Sequence, residues 1–316
     1  MITLTNTPHK LGIKLSGDYR DLKALYWAIY RLVEIYRYDE LEFVEYLESK
    51  EDASQNQRDI LDDRTDPIYG LNYDIRHAFQ GDREVDYIYN NSEHIGVATQ
   101  NIFKTEEEAL EEAKENSEGG NVYYSVNILY PWTIYYAIQL MHITQRIYPI
   151  DTLRDALIEY NEIEYKRDRA IVDYFISQIW LCLDEIIDEV DVIEIFNDVE
   201  EGCWPCDYFS LYPTALCNFL ADPKHADEDL RVAIITFILF ELANENLSSD
   251  TIKYNREIFS DIKRTIRKQT HKHIPTYESF IHKWIAYTKD KEHVYDEDAD
   301  SFADKFGNVD WNNLEW

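Results

Sequence analysis

The chain has 316 residues, 62 acidic and 31 basic, for a formal charge of -31. With 45% hydrophobic and 14% aromatic residues, 25 Tyr and 7 Trp among them, it is not a disordered acidic tail, and its charge sits on an ordered surface. Such a field repels nucleic acid and anionic membranes and attracts basic partners, so direct nucleic-acid binding and membrane association are not expected.

The length exceeds the roughly 250–300 residues that one core usually serves, which predicts two domains or one domain with a large extension. Only 9 Gly and 8 Pro argue for long helices over a turn-rich sandwich or barrel. The start, MITLTNTPHK, lacks the basic and apolar regions of a signal peptide. The longest apolar stretch, Val232–Phe240, falls short of the roughly 20 residues that span a bilayer. Four Cys in so long a chain are not a disulfide framework. A soluble, cytoplasmic, microbial protein is expected.

In chain order, Ile2–Thr5 and Gly12–Ser16 read as short strands around a Thr-Pro turn. Asp18 is placed to cap a helix whose apolar face is Leu22, Leu25, Tyr26, Ile29, Leu32, Val33 and Tyr36. A second helix is expected over Leu41–Glu48, then a polar loop, Glu51–Asp66, ended by Pro67. Tyr73–Phe79 reads as a short helix stopped at Gln80-Gly81, and Val85–Tyr89 and Ile95–Gln100 as strands. Thr105–Glu118 reads as a solvated helix and Val122–Leu129 as an alternating strand. Pro131 opens a long apolar helix to Ile147, stopped by Pro149.

Beyond Pro149 the strand signals vanish. Asp151–Asn197 holds two or three helices, with Ile171–Ile187 apolar enough to be nearly buried; Gly202–Pro213 is irregular. Thr214–Ala221, Asp229–Glu245, Ser249–Gln269 and Thr276–Thr288 follow as helices. In the acidic stretch Asp290–Trp316, the rings of Tyr295, Phe302, Phe306, Trp311 and Trp316 are expected to dock onto the body. The expected class is α+β with helix predominating: a small mixed sheet with helices over 1–149, then an all-α domain over 150–316 with an acidic, aromatic extension.

Residues 1–150 resemble a family of uncharacterised bacterial proteins. The resemblance lies in Asn6-Thr7-Pro8 with Gly12, Ser16-Gly17-Asp18 before Asp21-Leu22 and Leu25-Tyr26, YDIRHAFQGDRE (Tyr73–Glu84) and NILYPW (Asn127–Trp132). It implies an α+β fold and a bacterial source and carries no activity. The C-terminal half is not recognised.

The most site-like cluster is Asp74, His77, Asp82 and Glu84, where carboxylates and an imidazole converge around a helix end. Such a set could hold a divalent metal or move protons as a metal-dependent hydrolase. Arg76 and Arg83 are equally placed to neutralise it, and a salt-bridged network is the favoured reading. Cys203-Trp204-Pro205-Cys206 has the spacing of a redox motif but lacks the preceding strand and βαβ setting that motif needs. With Cys217 and His225 the same cysteines could instead supply a structural zinc site, although Cys217 falls in an apolar helix where a thiol is usually core. No cofactor is expected.

From Lys253 to Lys291 ten Lys/Arg face four Asp/Glu, so this segment is basic within an acidic chain. Lys263, Arg264, Arg267, Lys268, His271 and His273 are the candidates there for a phosphate or partner contact. Neutralisation by the protein's own acids, including the C-terminal stretch, is the reading preferred. No Gly-rich phosphate loop, nucleophile elbow or zinc-protease motif occurs. The function expected is non-enzymatic binding of a basic protein, in an immunity, antitoxin-like or DNA-charge-mimic role.

Overall fold

The computed structural model describes residues 1–48, 56–89, 120–146, 162–202, 204–206, 208–289, 291 and 296–316. Strands β1 (Thr3–Asn6) and β2 (Gly12–Asp18) form a hairpin whose turn is organised by Thr7. Its Oγ1 accepts from the backbone amides of Leu11 and Gly12, each at 3.1 Å, while Lys10 takes the left-handed conformation with φ 54°. Strand β3 (Glu84–Tyr89) and strand β4 (Gly120–Leu129) complete a sheet of order β1-β2-β4-β3. All three pairings are antiparallel, so the mixed pairing expected for this small sheet gives way to an antiparallel one. Gly12 is required beside β4, because a Cβ there would sit 2.0 Å from the Ile128 carbonyl oxygen.

Helix α1 (Tyr19–Glu48) starts as expected: Asp18 Oδ1 accepts from the amides of Arg20 and Asp21 at 2.7 and 2.8 Å. It runs on through the segment expected as a separate second helix, since no glycine or proline stops it before Glu48. Helix α2 (Asn56–Gln80) absorbs most of the expected polar loop and carries Pro67 inside it. An internal proline costs a helix roughly 3 kcal/mol. Here Leu61, Ile68, Leu71, Ile75 and Ala78 form one buried stripe against α1, and that burial outweighs the loss. Arg37 of α1 ties the pair together, reaching Thr65 and Asp62 of α2 at 2.8 Å each. The expected strand Ile95–Gln100 and helix Thr105–Glu118 lie outside the described residues.

Helix α3 (Tyr130–Arg146) follows β4 directly, and nearly every residue from Tyr130 to Thr144 is buried. Its neighbours come from both halves of the chain: β2 and α1 on one side, and α4 (Glu162–Asp184), α5 (Val192–Gly202), α6 (Leu211–Leu220) and α7 (Glu228–Ala243) on the other. Helices α8 (Ser249–Thr270), α9 (Tyr277–Thr288) and α10 (Asp296–Ala303) complete the ten among the described residues. The buried apolar side chains form one cluster from Ile2 to Phe306, continuous across residue 149. In the C-terminal stretch Phe302 and Phe306 dock as expected, whereas Trp311 is exposed and Tyr295 lies outside the described residues. The class is α+β with helix predominating.

One buried ion cluster joins the halves. Asp168 of α4 has no exposed surface and accepts from Arg31 of α1 at 2.6 and 3.0 Å and from Arg167 at 2.9 and 3.0 Å. Removing one member of a buried pair strands the other, at a cost of about 3–5 kcal/mol. Arg31→Ala, which takes a two-point partner from the fully buried Asp168 carboxylate, is therefore expected to lose about 3 kcal/mol or more in urea denaturation. A loss under about 1 kcal/mol would mark the pair as no stronger than a surface one.

Candidate functional site

The cluster at the end of α2 is assembled, and each of its acids meets a base. Arg83 Nη2 donates to Asp74 Oδ1 at 2.8 Å, His77 Nδ1 lies 2.9 Å from Asp82 Oδ2, and Lys14 Nζ is 2.8 Å from Glu84 Oε2. Arg76 stacks over Tyr73 at 5.2 Å. These half-exposed contacts tie the end of α2 to the turn before β3, through Asp74–Arg83 and His77–Asp82, and β3 to β2, through Lys14–Glu84.

The possible zinc ligands are engaged elsewhere. Cys206 Sγ is 3.5 Å from the Leu242 carbonyl, and His225 Nδ1 is 2.5 Å from the Phe219 carbonyl. Cys217 is buried in α6, where burial pushes its thiol pKa up. Cys203 lies outside the described residues. Among the described residues, no group of three or more His, Cys, Asp or Glu could hold a metal ion.

The basic candidates line α8 and the turn after it. Arg264 pairs with Asp261 at 2.9 Å; Arg267, Lys268, His271 and His273 are exposed. Part of the expected self-neutralisation is present, in Lys272 with Asp222 at 3.6 Å and in Lys291 with Asp298 of the C-terminal stretch.

Lys263 belongs to a different feature, a half-open cleft of about 470 Å³ between α7, α8 and the start of α9. The volume falls within the roughly 300–1,000 Å³ of small-molecule sites. Tyr208, Phe240, Phe259 and Tyr277 supply aromatic surface, and Glu241, Glu245, Arg256 and Lys263 supply charge. Glu241 holds the helices in place: its Oε1 accepts from the Tyr277 amide at 2.8 Å, capping α9, while its backbone carbonyl accepts from the Tyr208 hydroxyl at 2.7 Å. Lys263 Nζ sits 4.2 Å over the Phe259 ring. Burial raises the Glu241 pKa above the ordinary 4.5, opposed by the Tyr277 amide, the Lys263 charge and the Tyr212 hydroxyl.

Of the cleft, only Lys263 is among the residues singled out from sequence. Glu241 carried a usable signal, as the carboxylate that directly follows the apolar run Val232–Phe240. Tyr208 and Tyr277 carried none, since their meeting depends on how the chain returns across α6.

The fold and the cleft define a predominantly helical α+β protein with a small antiparallel sheet. Residues 2–245 match the family described as Domain of unknown function (DUF6904), and the chain belongs to that family. The match runs well past residue 150 and stops at Glu245, leaving the C-terminal part unmatched. No curated protein and no solved structure matches the chain.

A raised carboxyl pKa means the folded chain holds the proton to higher pH than the unfolded one. That contribution to stability is complete below about 4.5 and fades as pH rises through the folded value. Glu241→Gln removes the titration. Between about pH 4 and pH 8, the stability of the wild type relative to this variant should therefore fall with rising pH. A flat or rising difference in thermal midpoints would contradict the assigned burial.

Proposed function

We propose that this protein acts without catalysis, by binding a basic protein partner in an immunity, antitoxin-like or DNA-charge-mimic role. The observation that carries this reading is the acidic surface of α4, α5 and the segment after them. No Lys or Arg occurs between Arg169 and Lys224. Exposed acids there, such as Asp188, Glu189, Glu194, Glu200 and Glu201, share this stretch of chain with three exposed apolar side chains. These are Leu181, Ile193 and Trp204, and Trp204 is 62% exposed.

Trp204 is also held firmly. Its amide donates to Asn246 Oδ1 at 2.7 Å and its carbonyl accepts from Asn246 Nδ2 at 3.1 Å. An exposed indole on a fixed backbone, in a stretch of chain without Lys or Arg, combines a packing anchor with electrostatic steering. The family resemblance supports a bacterial source, and the free buried thiols of Cys182 and Cys217 support a reducing, cytoplasmic compartment.

Pull-down from the native host should return a stoichiometric basic protein at low salt and lose it at high salt. Trp204→Ala should weaken the purified complex roughly tenfold or more while leaving the fold intact. Absence of a stoichiometric partner at low salt, or retention of full affinity by the variant, would count against the reading.

A further inference from the structure

The cleft between α7, α8 and α9 carries charge of both signs on different elements. The acids come from α7 with the loop after it and from α9: Glu241, Glu245 and Glu278. The bases, Arg256 and Lys263, both come from α8. A ligand carrying one sign of charge alone meets like charge in this lining, whereas a ligand carrying both can pair with each.

A second observation points to a missing hydrogen-bond donor. Asn255, which lines the cleft, is 2% exposed; its Nδ2 donates to the Thr251 carbonyl at 3.0 Å, and its buried Oδ1 has no partner. An orphaned buried acceptor costs about 1–3 kcal/mol, which a donor on a bound molecule would recover. Arg256, the next residue, is exposed and makes no ion pair among the described residues.

We propose that this cleft binds a small zwitterion, an α-amino acid with an aromatic or branched apolar side chain. Its ammonium group would donate to Asn255 Oδ1 and meet the carboxylates of Glu241 and Glu245. Its carboxylate would meet Arg256 and Lys263, and its side chain would lie against Phe240, Phe259 and the two tyrosines. None of the cleft-lining residues is among those named for the acidic surface around Trp204, so either reading can fail without the other.

Titration calorimetry of the full chain with L-phenylalanine, L-tyrosine and L-leucine tests the proposal. At least one should bind at millimolar concentration or below. For that amino acid, the analogue lacking the carboxylate and the analogue lacking the ammonium (2-phenylethylamine and 3-phenylpropanoate for phenylalanine) should each bind roughly tenfold or more weakly, having lost a charge-assisted contact. Arg256→Gln should weaken the amino acid while leaving the amine analogue unchanged, and its unaltered circular dichroism would exclude misfolding. No binding by any of the three amino acids overturns the proposal. So does equal binding of either single-charge analogue: the amine would mark a cation pocket, the acid an anion pocket.

Discussion

Helix α3 has almost no side that faces water, and this constrains everything around it. A buried helix must place each polar side chain against a partner inside the protein. Gln139 donates to the Cys206 carbonyl at 2.7 Å, His142 meets the Tyr36 hydroxyl at 3.4 Å, Thr133 donates to the Leu129 carbonyl at the end of β4, and Thr144 bonds back to its own helix. At its start, the Tyr130 amide donates to the Leu11 carbonyl at 3.0 Å, and its hydroxyl donates to Asn6. These partners lie on the hairpin, on α1 and beyond α5, so the helix can be buried only when both halves of the chain surround it. The Asp168 cluster imposes the same requirement from α4, since a buried carboxylate is tolerated only while its arginines are in place.

The cleft depends on that frame. Tyr212 lies at the start of α6 with its hydroxyl on the Pro275 carbonyl at 2.9 Å, and its ring packs on Tyr208, Tyr277 and Phe280. Aromatic packing and the Glu241 cap together set where α9 begins. The family match ends at Glu245, between two parts of the lining. Tyr208, Phe240 and Glu241 lie inside the matched segment, whereas Asn255, Arg256, Lys263 and Tyr277 lie beyond it. The sheet, helices α1–α7 and the acidic surface thus belong to the matched segment, and one wall of the cleft to the C-terminal part of this chain.

What was legible in the sequence was local. The Asp18 cap, the apolar face of α1 and the turn at Gly81 follow from spacing within a few residues, and each is present. Pro67 misled because its cost is local while its compensation, the α1–α2 interface, is tertiary. The Asp74 cluster was readable as a set of neighbours, and Arg83 sits on Asp74 as its sequence position suggested. Asp168 could not be found that way, since its partner Arg31 is 137 residues distant. The cleft was hidden for the same reason: its lining converges from four elements, and only the lone carboxylate after an apolar run marks it.

The central claim is that the chain folds as one cooperative unit around α3 despite a length that suggests two. Urea unfolding followed in parallel by far-ultraviolet circular dichroism and tryptophan fluorescence tests this directly. Coincident single transitions are predicted, because neither half can bury α3 alone. Two separated transitions, with a fragment beginning near residue 150 retaining its own cooperative unfolding, would contradict it.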